Sequence, residues 1–360
     1  MCEFILTEIL TAGISRGASD IHLSVGCKPI LRVDGILTPL TRFASISEED
    51  MQTAVRELLT YEQFETFNTS REFDLGFNID VGGAAQRFRA SLFFERGFPA
   101  ISLRIINAAV KTIKELGLPQ ELSAIVQKKS GLFLVTGPAG SGKSTTLTAM
   151  INEINAMRRA HIITIEDPIE YIHTSGKSLI QQREIGRDAL NFAGAIRSAL
   201  RQDPDVIMIG EMRDLETTAA ALTAAETGHL VLATLHTRCA SESVDRIVDI
   251  FPAERQEQVR KQLASILTGV LSQQLVPQVG GGRIAATEYL SVTVAARSNI
   301  RDNETPRLTN VMQTGASYGM HTMDQDLVRL CRKGVINRKD ARTYAHDAET
   351  FERNLANART

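Results

Sequence analysis

The stretch GLFLVTGPAGSGKSTTLTAMINEINAM, Gly131 to Met157, decides how this chain is read. An apolar run, Leu132 to Val135, enters a glycine-rich loop and leaves it through a helix-forming segment. Inside it, Gly137 to Ser144 spells G-x-x-x-x-G-K-S in the strand, loop, helix order that this motif requires. Gly137, Gly140 and Gly142, with Pro138, Ala139 and Ser141 between them, let backbone N–H groups wrap a phosphate at a helix N-terminus, where the dipole favours negative charge. Lys143 is then expected to reach the β- and γ-phosphates and Ser144 to bind Mg²⁺, while Thr145 and Thr146 carry the binding segment into the helix. ATP and Mg²⁺ are the cofactors this pattern predicts.

Outward from the loop, short apolar strands alternate with helical patterns: GLFLVTG, HIITIED, DVIMIGE and HLVLATLHT, with IAATEYL as a last strand. Such alternation predicts a mainly parallel sheet covered by helices. In LRQDPDVIMIGEMRD the run Val206–Ile209 stops at Gly210 and Glu211, and an ionised group at the edge of a core is costly unless it is used. Ligands of open α/β sheets sit beyond the carboxyl ends of the strands. Glu211 is therefore expected to face the nucleotide as a Walker B-type acid, holding the Mg²⁺ shell or orienting the attacking water. ITIEDPIE repeats the design with Glu166 and Asp167 at the end of a strand, so Glu166 is a second candidate for catalysis and for the metal. Two acid-tipped strands beside one phosphate loop point to hydrolysis. His229 and His236 flank a third strand seven residues apart, and neutral histidine can donate to a γ-phosphate, so both are candidate catalytic groups.

The first hundred residues form a smaller α+β unit in this reading. A helix is expected over about residues 3 to 15, carrying Phe4, Leu6, Ile9, Leu10 and Ile14. The runs DIHLSV and ILRVDGILTPL follow, the second turning at Asp34-Gly35. Ser47 caps a helix to about Thr60. In RFRASLFF, Phe88, Ala90, Leu92 and Phe94 face one way and Arg87 and Arg89 the other; in ISLRI, Arg104 opposes Ile101, Leu103 and Ile105. By pattern alone this arginine face is a solvated outer face. The expected boundaries are an N-terminal domain over 1–106, a linker over 107–118 and the nucleotide-binding domain over 119–360, where Thr322 and Gln325 form a capping box.

Composition narrows the function further. The 360 residues are 43% hydrophobic and 23% charged, as in ordinary globular proteins. Lys plus Arg number 40 against 42 for Asp plus Glu, so the net charge of −2 offers no broad attraction to nucleic acid. No apolar run is long enough to span a bilayer, and the opening MCEFILTEIL lacks a basic n-region, which predicts a cytoplasmic chain. Cys2, Cys27, Cys239 and Cys331 are scattered without a CxxC pair and read as reduced thiols.

Taken together, GPAGSGKSTT, ITIEDPIEY, LRQDPDVIMIGEMRD and TGHLVLATLHT closely resemble the motifs of the PilT-type (twitching motility) pilus retraction ATPases of the secretion-ATPase superfamily. The likeness runs from GASDIHL and RVDG to GMHTMDQDL, with LTAAETGHL and FPAERQEQVR as further matches. The resemblance implies a PAS-like N-terminal domain, a RecA-like P-loop ATPase domain and assembly as a homohexamer. It implies nucleotide held between domains, and makes Arg87, Arg89 and Arg104 candidate phosphate sensors in place of a solvated face. It further implies work at the pilus base on the cytoplasmic side of the inner membrane, with a pilus platform protein and a second retraction ATPase as partners.

Two departures stand out. Retraction enzymes typically carry AIRNLIRE where this chain reads AARSNIRDNE, Ala295 to Glu304, which is expected to weaken an apolar contact there. Ala139 stands where threonine is common, a change that keeps the backbone cradle. An assembly or type II secretion ATPase would bring extra N-terminal domains and a tetracysteine zinc site, and neither is present in this sequence. An accessory PilU-type ATPase is the nearer alternative. A nucleic-acid translocase lacks support from charge or aromatic content, with no tryptophan in the chain.

Overall fold

The computed structural model describes residues 6–33, 35–81, 84–106 and 110–357. Its contacts divide the chain into two units: Met1–Ala109 with Pro168–Ile172, and Val110–Asp167 with His173–Thr360.

In the first unit the alternating runs become strands β1 (Asp20–Ser24), β2 (Ile30–Val33), β3 (Ile36–Pro39), β4 (Glu72–Val81), β5 (Ala84–Glu95) and β6 (Phe98–Ile106). They pair antiparallel throughout in the order β3-β2-β1-β6-β5-β4. The period of two puts Phe88, Ala90 and Leu92 of β5 beside Ile101 and Leu103 of β6 on one face. That face buries Leu6, Ile9 and Leu10 of the helix Leu6–Ser15. Ser47 caps the helix Glu48–Leu58 through a full capping box, and Thr60 does the same for Tyr61–Ser70, a helix beyond the one expected to end at about Thr60. Phe4 and Asp34 lie outside the described residues.

The second unit holds β7 (Gly131–Thr136), β8 (His161–Glu166), β9 (Leu179–Glu184), β10 (Val206–Ile209), β11 (Leu230–Leu235), β12 (Leu267–Pro277) and β13 (Arg283–Ser291). The order is β13-β12-β7-β11-β10-β8-β9, with only the β12–β13 pair antiparallel. Every residue of β7, β10 and β11 is buried, as expected for parallel strands covered on both faces, which explains their unbroken apolar text. β9 and β12 escape the sequence pattern. β9 is a polar edge strand, and β12 follows the helix Ala253–Ile266 with no breaker between them.

The expected linker over 107–118 is not a free spacer from Val110 onward. Ile113 and Leu118 are buried in the core that also contains Phe133, Val135 and Leu147. An apolar side chain at each of these positions gives the segment a place in that core, and residues 107–109 lie outside the described residues. The return of Pro168–Ile172 to the first unit is likewise invisible to local pattern. Cys27, Cys239 and Cys331 are free thiols, and Cys2 lies outside the described residues. Among the described residues no helix is long and apolar enough to cross a membrane.

In the divergent segment, the helix Val294–Arg301 starts at a Thr293 cap and buries Ala296 and Ile300. Arg297 donates to the carbonyls of Ala264 (2.6 Å) and Ser265 (2.7 Å), placing a cation at the C-terminal end of the helix Ala253–Ile266. Ser298, Arg301 and Asp302 bond to one another at the surface as a local polar network.

Candidate active site

Four strand ends of the second unit lie side by side, because parallel strands all present their carboxyl ends to one edge. From β7 outward these are the phosphate loop, His236 after β11, Glu211 after β10 and Glu166 closing β8. Strands spaced about 4.8 Å apart put Glu211 roughly 10 Å along the edge from the tip of β7, within reach of a triphosphate.

The loop is shaped to receive an anion. Gly137, Gly140 and Gly142 have φ of 144°, 74° and 91°, conformations in which a side chain would be strained. Gly142 starts the helix Lys143–Met157 without a side-chain cap, leaving its first N–H groups for another acceptor. Lys143 is buried and folds over the loop, its Nζ donating to the carbonyls of Gly137 (2.8 Å) and Pro138 (3.0 Å). Ser144 and Thr145 are half-buried at the helix start, and Thr146 is buried. Ser141 Oγ is buried with no hydrogen-bond partner among the described residues. An open backbone cradle, an uncapped helix start, a buried amine and an unpartnered hydroxyl together fit the phosphates of a nucleotide.

Glu211 sits on a braced turn. Gly210 N–H donates to Ile165 of β8, Met212 N–H to Thr234 of β11, and the Thr234 hydroxyl to Gly210, so both neighbouring strands fix its backbone. Its carboxylate meets Arg213 Nε at 2.8 Å and His236 Nε2 at 3.7 Å, with 17% of the side chain exposed. Asp214, the last residue of the same motif, caps the helix Leu215–Glu226 by accepting from Thr217. Glu166 is more enclosed: its Oε1 accepts from Thr164 Oγ1 (2.6 Å) and Gln182 Nε2 (3.2 Å), and its register partner on β9 is Glu184, another buried carboxylate.

His236 is held neutral. Partial desolvation, followed by the positive charge of Lys143, lowers its pKa from 6.5, while Glu211 pulls it upward and Arg213 downward. A neutral imidazole can donate to a γ-phosphate while leaving Lys143 as the cation beside it. We expect an NMR titration of the nucleotide-free protein to place the His236 midpoint below 6.5, and Lys143→Ala to move it upward. A midpoint unmoved by that substitution would separate the two side chains.

His229 requires a correction as a catalytic candidate. It precedes β11, and its carbonyl accepts from Gly131 at the start of β7, so it lies at the amino-terminal edge of the sheet. Seven residues of extended strand, at about 3.3 Å each, separate it from His236 by roughly 23 Å. Its Nδ1 is 2.9 Å from the Ala224 carbonyl and 3.2 Å from Thr227 Oγ1, a local turn at the end of the preceding helix.

The arginines also differ from one another. Arg87 is buried, not solvated: its Nε and Nη2 lie 3.3 and 3.2 Å from the carbonyl oxygen of Ile169, in the segment that rejoins this unit. Arg89 pairs with Asp74 at 3.4 Å and Arg104 with Asp20 at 3.0 Å, both at exposed positions. Desolvation acts to raise the Asp20 pKa, but bonds from Ser19 and Arg104 outweigh it and the carboxyl stays below its usual value.

Sequence reasoning overlooked Gln273 of β12. It is 1% exposed; its Nε2 donates to the Ser141 carbonyl (2.7 Å) and its Oε1 accepts from Thr146 Oγ1 (2.8 Å). A polar pair, Gln273-Gln274, inside the apolar run GVLSQQLVP was the available signal.

The sequence pattern of the family described as "Type II/IV secretion system protein" matches residues 1–350. The chain is 44% identical to the type IV pilus retraction ATPase PilT of Pseudomonas aeruginosa, over 96% of this chain and 99% of that protein. It is 44% identical to a twitching motility protein of Neisseria gonorrhoeae, over 96% and 92% of the two chains. The crystal structure of the pilus retraction motor PilT with bound ADP superposes with a TM-score of 0.90 at 45% identity, covering 98% of this chain and all of that one. A RecA-like nucleotide-binding domain behind a smaller α+β domain, matched over nearly its whole length, makes this chain a member of the type II/IV secretion system protein family, as one of its P-loop ATPases.

Proposed function

We propose that this chain is a hexameric Mg-ATP-driven motor that retracts type IV pili. The observation that carries the reading is the shared strand edge: a phosphate loop with Lys143, the Glu211–His236 pair and Glu166 stand at neighbouring carboxyl ends of one parallel sheet. Nearly full-length likeness to retraction ATPases supports the pilus as the object of the work.

Lys143 exchanges its loop carbonyls for β- and γ-phosphate oxygens, and Ser141 and the helix N–H groups supply further donors. Ser144 would hold Mg²⁺ beside the phosphates, with Glu211 and Glu166 placed to act on its water shell, and the ion would supply charge neutralisation to the departing phosphate. So few protein ligands would suit Mg²⁺, which keeps much of its hydration. Glu211 orients or deprotonates the attacking water, and His236 reports the γ-phosphate. Arg87, Arg89 and Arg104 serve the phosphates from the N-terminal domain once they exchange their present partners. ATP and ADP favour different domain arrangements, since a ligand shifts a conformational equilibrium only by its differential affinity for the two states.

A count of surface pili in the host strain lacking this chain, with a motility assay, tests the biological role. Excess pili without movement is the expected outcome. Bald cells would assign the chain to assembly, and near-normal piliation with weak movement would assign it to an accessory, PilU-type role beside a second ATPase.

A further inference from the structure

We propose that Gln273 is the positioning residue of the phosphate loop, setting nucleotide affinity without touching the nucleotide. The proposal rests on the reading of Gly137–Ser144 as the nucleotide cradle. β12 lies beside β7, and their register pairs Ser272 with Thr136, so Gln273 falls where β7 ends and the loop begins. Its amide spans the two sides of the motif, with Nε2 on the Ser141 carbonyl and Oε1 on the Thr146 hydroxyl of the helix.

The backbone acts in the same place. A Cβ built on Gly137 would collide with the Gln273 carbonyl oxygen, so the loop can follow its path only because Gly137 has no side chain and β12 passes directly beneath. The φ of 144° at Gly137 independently demands glycine. β12 is flanked by β7 on one side and β13 on the other, which gives the amide a rigid support.

The consequence concerns direction. A peptide whose carbonyl is held outward by Gln273 turns the neighbouring N–H groups inward, toward the bound phosphate. Without that bond the Ser141 carbonyl loses its buried donor and the loop can relax away from the anion-binding form. A geometry fixed before binding raises affinity by cutting the ordering cost.

The test compares Gln273→Ala with Thr268→Val in the full chain, reading the Kd of Mg-ADP by calorimetry, steady-state KM and kcat for ATP, and the thermal midpoint. Thr268 Oγ1 donates to the Leu132 carbonyl between the same two strands, far from the loop, so its loss reports general weakening of the strand pair. Expected for Gln273→Ala are a Kd and KM raised at least about tenfold with kcat at saturation within about threefold; Thr268→Val should stay within about twofold in Kd. A Kd within twofold of the parent for Gln273→Ala, or equal shifts in both variants, overturns the proposal. Gln273→Glu keeps the acceptor for Thr146 but puts a carboxylate oxygen against the Ser141 carbonyl; should the alanine variant not fold, this variant decides by the same criterion. Lys143→Ala separates the layers: if it leaves ADP binding intact, the cradle reading itself fails, whereas its loss beside an unchanged Gln273→Ala refutes only the positioning role.

Discussion

Lys143→Ala is expected to remove tight binding of ATP and ADP, raising Kd by roughly 100- to 1,000-fold. The magnitude follows from the bonds at stake. Charge-assisted hydrogen bonds contribute about 1.5–3 kcal/mol each, and an amine reaching two phosphates forfeits about 3–4 kcal/mol after partial replacement by water. Lys143 is buried and its amine donates to the Gly137 and Pro138 carbonyls of its own loop, away from the apolar core of the parallel sheet. The folded state should persist, with the thermal midpoint of the nucleotide-free protein within a few degrees of the parent. Titration of ADP against both proteins checks this, and unchanged affinity would refute the role of the loop. The same variant removes the cation that helps hold His236 neutral, so binding and the histidine titration should change together.

The phosphate loop was legible because its requirements are local. Glycine at 137, 140 and 142, lysine at 143 and a preceding apolar strand lie within a dozen residues, and each answers to one backbone or charge demand. The positions of Glu211 and Glu166 were legible for a related reason: each closes an apolar run, and the carboxyl ends of parallel strands share one edge of the sheet. What failed needed distance or direction. Seven-residue spacing paired His229 with His236, but a strand carries its two ends to opposite edges of the sheet, and only the parallel register with β7 shows which end holds the loop. Arg87 shared the alternation of Arg89 and so looked solvated; a return of Pro168–Ile172 to the N-terminal unit, some eighty residues on, buries it. Gln273 lies in a strand that follows a helix without a breaker, and its partners, Ser141 and Thr146, are separated from it by more than a hundred residues. No local period encodes such a contact.

Glu211→Gln is expected to bind ATP within a few-fold of the parent yet hydrolyse it about 100- to 10,000-fold more slowly, the range associated with loss of a positioned general base. The substitution keeps volume and hydrogen-bonding reach, so the turn braced by Ile165 and Thr234 should survive. The case for Glu211 over Glu166 is one of access. Glu211 stands on the strand tip nearer the loop, partly exposed and facing His236, and its carboxylate is partnered by Arg213, whose side chain is 71% exposed and can swing aside. Glu166 is buried one strand farther out, and at least one of its oxygens is engaged by both Thr164 and Gln182, an arrangement that suits a fixed carboxylate orienting water or metal shell. Single-turnover hydrolysis with radiolabelled ATP, run beside Glu166→Gln, separates the two. A slow chemical step with retained binding in Glu211→Gln assigns it the base; near-parent turnover there, with loss in Glu166→Gln, moves the base one strand outward. Because nucleotide would remain bound to Glu211→Gln, mixing it with the parent protein should, if the proposed hexamer forms, lower activity in excess of its share, whereas a subunit that merely fails to bind should dilute activity in proportion.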